Sequence, residues 1–383
     1  MRIVLHGGFG EKGRTSIGIE TGGYRLLLDA GVNTSVRGSD DYYPRITRAQ
    51  LESTDAIVVT HGHEDHVAAL GWCLAGGFRG RIFMTAQTRR DAASVLEGYA
   101  EPPHRRLVDA ASIEMLPLGV DALRLGPLSI DTGRSGHVAG GVWCALHDGR
   151  TRFVFCGDVL PSSAVFTMDA LPACDGMAID ASYGEDSIRG DERARQIRAW
   201  VAKHERGCAL PTPLYGRSAE LLAIVEGPLA LAPGMREALA TQIEETDWLI
   251  PGIARRLAAR LDAAADWREG ERLPRAALLC HDGMGMAGPA KSILPLARST
   301  RHPTLITGHL PEGTFGQRMV AEGFADWIRL PTHPTLDENV AMVRAGDPSM
   351  LIGHSCDHRA LSDLARHLPR LRTDLSTGDV LEI

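Results

Sequence analysis

The chain of 383 residues has a formal net charge of −7 and an ordinary globular composition, with 44% hydrophobic and 23% charged residues. This length exceeds one typical domain and predicts either two domains or one domain with a large insertion. The acidic balance argues against a protein that holds a polyanion by bulk electrostatics, but it is compatible with a local positive cleft formed by metal ions and a few arginines.

Three features of the sequence bear on where the protein resides. No segment is long and apolar enough to cross a membrane, and residues 1–6 enter a strand-like pattern without the apolar region of a signal peptide. The seven cysteines are scattered and include no Cys-x-x-Cys pair, which predicts reduced thiols. We therefore expect a cytoplasmic protein with no membrane partner.

In chain order, the amino-terminal part predicts a meander of strands, followed by alternating strands and helices. Strands are expected at Arg2–His6, Thr15–Glu20, Tyr24–Asp29 and Arg81–Thr85, a helix at Ala86–Tyr99, and a hairpin at Gly141–His147 and Thr151–Cys156. Asp148-Gly149 supplies the hairpin turn, because this dipeptide favours the positive φ angles of a primed turn. Residues 376–383 predict a turn and a final edge strand.

A dense group of metal-competent side chains follows the apolar run Ala56–Val59. The sequence continues Thr60-His61-Gly62-His63-Glu64-Asp65-His66, and an extended loop would point the rings of His61 and His63 the same way. Nitrogen and carboxylate donors that converge at a strand-to-helix turn suit a borderline cation such as Zn²⁺. The alternative interpretation is a polar turn that happens to be rich in histidine.

The same arrangement recurs further along the chain. Apolar runs lead directly into Asp158, Asp180 and His354, and His137 lies in a glycine-rich stretch that allows close backbone approach. Layered α/β folds gather functional side chains at the carboxyl ends of their strands. These residues therefore predict a common site with the histidine-rich turn.

Residues from about 182 to 324 differ in character from the flanking segments. They contain alanine- and arginine-rich helical patterns at Glu192–His204 and Ile253–Trp267, with short apolar runs at Ala276–Cys280 and Thr304–Thr307. Candidate site residues lie on both sides of this segment. It therefore predicts a separate α/β module inserted into the first domain.

The histidine motif, with His137 and Asp158 downstream, resembles the metallo-β-lactamase superfamily. Further segments are similar to the motifs of its β-CASP family, in the family's order: Asp180-Ala181-Ser182-Tyr183-Gly184, Gly216-Arg217-Ser218-Ala219-Glu220-Leu221-Leu222, Asp282-Gly283-Met284, Thr307-Gly308, Thr332-His333 and Gly353-His354. The segment Gly8–Gly13 leans toward ribonuclease J. The SGHVAGG and ASYG segments lean toward the cleavage-and-polyadenylation endonuclease and its prokaryotic relatives.

The resemblance implies a fold and a domain organisation. The expected fold is a metallo-β-lactamase αββα sandwich with an inserted α/β cap. Residues 1–182 and 325–383 would form the lactamase domain, and residues 183–324 the β-CASP cap.

The resemblance also implies a ligand set for two Zn²⁺ ions, with Mn²⁺ as the other candidate. The ligands would be His61, His63, Asp65, His66, His137, Asp158 and His354, with Asp158 bridging the two ions. Two such ions activate water and clamp the oxygens of an in-line phosphoryl displacement.

Roles for further residues follow from the same family pattern. Asp65, Asp180 and His333 are expected to be catalytic, with His333 as the general acid and Asp180 as its partner. A loop histidine preceding a proline is the alternative for His333. Arg217, Thr332 and Gly353 are expected to contact the substrate. In this family, a histidine in the last motif is typical of members that act on RNA, and this chain has His354 there.

The predicted function is therefore a metal-dependent phosphodiesterase of single-stranded RNA that leaves 5′-phosphate and 3′-hydroxyl ends. A homodimer is the candidate oligomeric state. Endonuclease and 5′-exonuclease activity cannot be told apart from these motifs. Two alternatives stay open: a hydrolase of DNA or of a small ester or nucleotide, and a non-catalytic subunit that binds RNA or a partner.

Overall fold

A computed structural model describes all 383 residues. Contacts divide the chain into two compact units. The first unit comprises Met1–Pro161, Met168–Ser187 and His333–Ile383, and the second comprises Ser162–Thr167 and Ile188–Thr332. The second unit thus lies between parts of the first along the sequence. The domain limits proposed from the motifs, after residues 182 and 324, stay a prediction.

The strands and helices have the following bounds. The strands are β1 (Arg2–Gly7), β2 (Phe9–Gly10), β3 (Ser16–Thr21), β4 (Tyr24–Leu28), β5 (Ala56–Val58), β6 (Arg81–Met84), β7 (Ile113–Met115), β8 (Gly119–Leu125), β9 (Leu128–Arg134), β10 (Val142–His147), β11 (Arg152–Phe155), β12 (Gly176–Asp180), β13 (Cys208–Pro211), β14 (Leu229–Leu231), β15 (Ala265–Asp266), β16 (Ala277–Cys280), β17 (Leu305–Ile306), β18 (Asp326–Trp327), β19 (Met350–His354), β20 (Cys356–Asp357) and β21 (Val380–Glu382). The helices are α1 (Arg48–Glu52), α2 (Glu64–Val67), α3 (Leu70–Ala75), α4 (Ala86–Tyr99), α5 (Pro102–Ala110), α6 (Gly190–Lys203), α7 (Arg217–Ile224), α8 (Met235–Glu244), α9 (Ile253–Asp262), α10 (Ala290–Thr300), α11 (Phe315–Ala321), α12 (Leu336–Gly346) and α13 (His358–Ala365).

Two large sheets form the first unit. One has seven strands in the order β21-β1-β3-β4-β5-β6-β7, and the other has six in the order β19-β12-β11-β10-β9-β8. In the second sheet β12 pairs in parallel with both β11 and β19. The carboxyl ends of these three strands therefore lie at one edge of the sheet.

The central strands of both sheets are buried on both faces. Leu27 belongs to an apolar cluster with residues of α3 and α4, whereas its neighbours Leu26 and Leu28 point to the opposite face and are equally buried. Ala145 likewise packs in a cluster with residues of α12 and α13, and Cys144 on the opposite face is buried. Helices cover the outer faces and the inner faces pack together, which makes a four-layer αββα sandwich.

The expected elements mostly agree with the observed ones. The four apolar runs that precede candidate site residues form β5, β11, β12 and β19, and the carboxyl-terminal segment forms β21 at the edge of its sheet. The helix predicted at Ile253–Trp267 is wrong at its end. It stops at Asp262, because Ala265 and Asp266 form β15 beside β14.

The second unit is a smaller α/β structure. A parallel four-stranded sheet has the order β13-β16-β14-β15, and Ala209 of β13 forms a parallel bridge to Thr304 just before β17. The short segment Ser162–Thr167 belongs to this unit through a bridge between Phe166 and Leu249. None of the helices in the chain is both long and apolar enough to span a membrane.

Candidate metal centre

The site lies in the first unit, at the carboxyl ends of strands. His61 and His63 follow β5, His137 lies in the loop between β9 and β10, and Asp158 follows β11. Asp180 ends β12 and His354 ends β19, where the two residues are direct partners in the parallel register. Strand pairing across the inserted segment therefore brings sequence-distant side chains together.

The turn that carries Asp65 and His66 is clamped by the residues that precede β3 and follow β4. The Ala30 amide donates to the His66 carbonyl at 2.8 Å, and the Thr15 amide donates to the Asp65 carbonyl at 2.8 Å. A Cβ at Gly31 would lie 1.7 Å from the same Asp65 carbonyl oxygen, so no side chain fits there. These backbone contacts fix where the two side chains begin.

Three imidazole nitrogens converge on one point. His63 Nδ1 lies 3.2 Å from His61 Nε2 and 3.0 Å from His137 Nε2. Asp158 Oδ2 lies 3.6 Å from both of these Nε2 atoms. One Nδ1 cannot donate a proton to two neighbours, and ligands of a tetrahedral Zn²⁺ at its usual bond lengths stand about 3.4 Å apart. The spacing therefore fits a shared cation better than a network of hydrogen bonds.

A second group shares Asp158. His66 Nε2 lies 3.1 Å from Asp158 Oδ1 and 3.9 Å from Asp65 Oδ2. The ligand-capable atoms of Asp65, His66 and Asp158 all lie within 4.8 Å of one another, as do those of His61, His63, His137 and Asp158. The two oxygens of Asp158 thus face the two groups separately.

Asp29 orders the histidine-rich turn from behind. Its Oδ1 accepts from the Thr60 amide at 2.7 Å, and its Oδ2 accepts from Thr60 Oγ1 at 2.8 Å and faces His66 Nδ1 at 2.7 Å. Because His66 Nδ1 donates its hydrogen bond to this carboxylate, Nε2 is the ring nitrogen that faces the site. Asp29 is fully buried, and so acts through its neighbours.

His333 and Asp180 form a close pair at the edge of the cluster. His333 Nδ1 lies 2.8 Å from Asp180 Oδ2 and 3.7 Å from Asp158 Oδ2. The Ser182 amide donates to Asp180 Oδ1 at 3.1 Å, which holds the carboxylate in place. Asp158, Asp180 and His333 accordingly form a third compact group of potential ligands.

His354 lies beside these groups and is not a member of any of them. Its ring centroid is 6.4 Å from that of His66, its Nδ1 contacts Ser355 Oγ at 2.9 Å, and its buried Nε2 has no hydrogen-bond partner. Gly353 is buried in β19, where an added Cβ would come within 2.7 Å of Leu361 Cδ1. A glycine at position 353 therefore allows β19 to pack closely against Leu361 of α13.

The electrostatics of the cluster favour neutral donors around charged carboxylates. Burial lowers the pKa values of His61 and His63 well below the usual value, which leaves their lone pairs available. Burial opposes ionisation of Asp158, but the imidazoles of His66 and His333 outweigh it and hold the Asp158 pKa well below its usual range.

Two imidazoles behave in the opposite way. Burial lowers the pKa of His66, yet the carboxylates of Asp158 and Asp29 outweigh it and raise this pKa well above the usual value. Burial is likewise outweighed at His333, where Asp180 and Asp158 raise the pKa to about 9. His333 is therefore a proton-carrying group at neutral pH.

The donor set fits divalent metal ions. Nitrogen donors dominate one group, carboxylate oxygens contribute to both, and buried His354 Nε2 lacks any protein partner. Such a mixed His/Asp set suits Zn²⁺ better than Mg²⁺, which prefers oxygen ligands.

The predicted substrate contacts Arg217 and Thr332 lie in the second unit. Arg217 begins α7 and its Nη2 donates to Thr332 Oγ1 at 2.9 Å, while its Nε is buried without a partner. A Cβ at Gly308 would lie 2.6 Å from Arg217 Nη1. The guanidinium of Arg217 thus packs directly against the backbone of Gly308, where no side chain intervenes.

Sequence reasoning missed the groups that hold the ligand rings. Thr60 Oγ1 contacts His61 Nδ1 at 3.2 Å, Ser355 Oγ contacts His354 Nδ1, and the Tyr183 ring meets His333 edge-on at 5.0 Å. For Thr60 and Ser355 the sequence did contain a signal, because each is a hydroxyl residue directly adjacent to a candidate ligand histidine.

A family model described as the β-lactamase superfamily domain matches residues 24–204. This segment contains His61, His63, His137, Asp158 and Asp180. Residues 24–204 are therefore similar to a β-lactamase superfamily domain. The match confirms the superfamily and the fold class predicted from the motifs, and this domain together with the His/Asp cluster implies bound metal ions.

Curated relatives extend the similarity beyond the β-lactamase superfamily domain. A transcription termination factor FttA from a Lokiarchaeum species is 25% identical over 85% of this chain. An RNase J-like protein from Methanocaldococcus jannaschii is 21% identical over 83% of this chain and 80% of its own length. Ribonuclease TTHA0252 from Thermus thermophilus is 30% identical over 48% of this chain and 44% of its own length.

These matches cover a smaller share of the termination factors than of this chain. The chain spans 58% of the length of the Lokiarchaeum factor and 42% of the corresponding factor from Cenarchaeum symbiosum. Among solved structures, a protein of unknown function from Enterococcus faecalis V583 matches 99% of both chains with a TM-score of 0.64 and 11% identity. At this identity the likeness concerns the fold alone.

Proposed function

We propose that this protein is a metal-dependent phosphodiesterase that cleaves RNA and leaves 5′-phosphate and 3′-hydroxyl ends. The observation that carries the proposal is the convergence of His61, His63 and His137 on Asp158, beside the His333–Asp180 pair. The names of two relatives, an RNase J-like protein and a ribonuclease, support RNA as the substrate.

Seven residues would hold two ions, with Zn²⁺ favoured and Mn²⁺ as the other candidate. One ion would take His61, His63 and His137, the other would take Asp65, His66 and His354, and Asp158 would bridge them. Such ions, when bound, lower the pKa of a coordinated water and neutralise negative charge on a phosphodiester. Of these seven residues, His354 is the one outside the compact groups of potential ligands.

The protein's own residues would carry the proton to the leaving group. His333 has its Nδ1 engaged by Asp180, so Nε2 is the ring nitrogen that can donate to a departing 3′-oxygen. Because the flanking carboxylates raise the pKa of His333 to about 9, this proton is present at neutral pH. Asp180 would orient the ring and stabilise its charge.

The distribution of charge supports an RNA-binding role for the second unit. Residues of the second unit include 19 Lys and Arg against 17 Asp and Glu, a balance of +2, whereas the first unit has 22 against 31, a balance of −9. Arg217 and Thr332 would contact the single-stranded RNA backbone there. A cytoplasmic location and a homodimeric state belong to this proposal as well.

The test uses purified protein with end-labelled single-stranded RNA, DNA of the same sequence, and a generic lactone. RNA cleavage that stops with a chelator and returns with Zn²⁺ or Mn²⁺ is the expected result. Cleavage of DNA or of the lactone alone would move the protein to another hydrolase class, and RNA binding without cleavage would identify a non-catalytic subunit. Digestion of RNA with a blocked 5′ end then separates endonuclease from 5′-exonuclease activity.

A further inference from the structure

A cavity of about 370 Å³ lies within the second unit. Its lining comes from the end of α6, the turn between α10 and β17, and the loop between α11 and β18. These segments meet where β17 and β18 begin. Gly308, which packs against Arg217, follows the opposite end of β17. The cavity is therefore separate from the substrate contacts already proposed.

One part of the lining is an ordered aromatic pair. The rings of Trp200 and His204 lie 4.0 Å apart at an angle of 40°. His204 Nδ1 donates to the Trp200 carbonyl at 2.8 Å, and Trp200 Nε1 donates to Asp326 Oδ2 at 2.7 Å. Both rings are only partly buried. They present a platform whose orientation is fixed before any ligand arrives.

The other part combines an aromatic ring with charge. Phe324 and Glu322 line the cavity. Arg298, which is not a lining residue, places its guanidinium 5.0 Å from the centre of the Phe324 ring and forms an ion pair with Glu322. Arg301 directly follows α10, adopts the left-handed region at φ 52° and is exposed, with no ion pair. The cavity thus offers aromatic faces and two carboxylates, with an unpaired guanidinium among its lining residues.

We infer that this cavity binds a nucleobase of single-stranded RNA, with guanine preferred. The inference rests on the proposed ribonuclease function. Bases stack on aromatic side chains in single-strand binding sites, and this contact adds affinity at every position where it occurs. The cavity volume lies within the range of about 300–1,000 Å³ that is usual for small-ligand sites.

The carboxylates decide between a base and a phosphate. Asp326 and Glu322 would repel a phosphate inside the cavity, but a carboxylate accepts hydrogen bonds from N–H groups. Guanine presents two adjacent N–H donors on its Watson–Crick edge, and Asp326 Oδ1 is not used by Trp200. Arg301 supplies the positive charge for the phosphate that flanks the bound base.

The first experiment measures binding of guanosine, adenosine, cytidine and uridine to the metal-loaded protein by equilibrium dialysis. Nucleosides carry no phosphate, so their binding does not depend on the metal centre. Phe324→Ala should weaken guanosine binding about tenfold, within the usual contribution of one stacked base. Phe315→Ala is the matched control, because Phe315 is also half-buried under an arginine, Arg318, but lies outside the cavity.

A second variant tests the base preference without removing an aromatic ring. Asp326→Asn keeps an oxygen for Trp200 Nε1 but loses the carboxylate, so the preference for guanosine over uridine should disappear. Guanosine binding that is unchanged in both Phe324→Ala and Asp326→Asn would overturn the inference. Equal binding of all four nucleosides to the unaltered protein would do the same.

RNA cleavage separates this inference from the proposed function. For a hexaribonucleotide with a central guanosine, Arg301→Ala should raise KM severalfold at unchanged kcat, whereas Arg275→Ala, which alters an exposed arginine elsewhere in the unit, should not. Guanosine binding that needs Phe324, in a protein that cuts no RNA, would refute the ribonuclease function alone. RNA cleavage whose KM is unchanged in both Arg301→Ala and Phe324→Ala would refute the base site alone.

Discussion

His333 Nδ1 lies 2.8 Å from Asp180 Oδ2, although 153 positions separate the two residues along the chain. The pair adjoins Asp158, whose oxygens face the convergent imidazoles on the other side. The imidazole of His333 is thereby placed beside the candidate metal centre but outside its nitrogen-rich group.

We predict that His333→Gln retains metal but loses turnover of RNA. A positioned general acid typically contributes a factor of about 10²–10⁴ in rate, so kcat should fall by that amount. Metal content by mass spectrometry and single-turnover cleavage measure the two properties separately. His367→Gln, at an exposed position, is the control. Loss of metal together with activity would reassign His333 as a ligand.

Asp158→Ala should remove both metal and activity, because its two oxygens face both groups of ligands. We expect fewer than two ions per chain and no detectable cleavage of RNA, with a folded protein by circular dichroism. Asp374→Ala changes an exposed aspartate paired with Arg372 and should leave both properties intact. A folded Asp158→Ala protein with full activity is incompatible with a two-ion site.

Asp29→Asn tests a residue that acts through its neighbours. The amide cannot accept from the Thr60 amide, Thr60 Oγ1 and His66 Nδ1 as the carboxylate does. Loss of a partner that orients a metal ligand usually costs about 10–100-fold in metal affinity. Competition with a chromogenic chelator measures this affinity. An unchanged affinity would show that the backbone clamp at Gly31 suffices to order the turn.

Arg217→Ala should weaken RNA binding without slowing the chemical step. Arg217 Nε has no protein partner and Nη2 is held by Thr332, so the guanidinium is oriented for a phosphate. Loss of one hydrogen bond to a charged group predicts a rise in KM of about tenfold. Arg275→Ala serves as the comparison here as well. A fall in kcat at unchanged KM would contradict a role in binding.

The stability of the second unit should depend on pH through Glu220. Its side chain is fully buried and accepts from Ser163 Oγ and from the Ala164 amide at 3.2 Å. Burial raises the pKa of Glu220 to about 7, against about 4.5 when unfolded. The stability that the protonated form provides is complete below pH 4.5 and is lost as pH rises through 7.

The comparison with Glu220→Gln isolates this effect. From about pH 4.5 to about pH 7, the free energy of unfolding of the unaltered protein should fall relative to that of Glu220→Gln, by up to about 3 kcal/mol. Urea titrations at several pH values measure the difference. Glu237→Gln, an exposed residue on α8, should show no such trend. Parallel curves for Glu220→Gln and the unaltered protein would mean that folding does not raise the pKa of Glu220.

Much of this protein was predictable from local sequence. Alternating and continuous apolar runs determined where β5, β11, β12 and β19 lie, and the spacing His61-Gly62-His63 determined that two rings point together. These features depend on residues within one element, where periodicity and side-chain chemistry act directly. The motif order was enough to indicate the superfamily and an inserted module.

Only the tertiary structure decided how those elements meet. The parallel register that places Asp180 beside His354, the three contacts of Asp29 and the burial of Glu220 against Ser163 all join distant segments. The same holds for the end of α9, where pairing with β14 converts a helical pattern into β15. Local propensity contributes less than 1 kcal/mol per residue, so strand pairing and burial outweigh it. The residues adjacent in sequence give no signal of these long-range contacts.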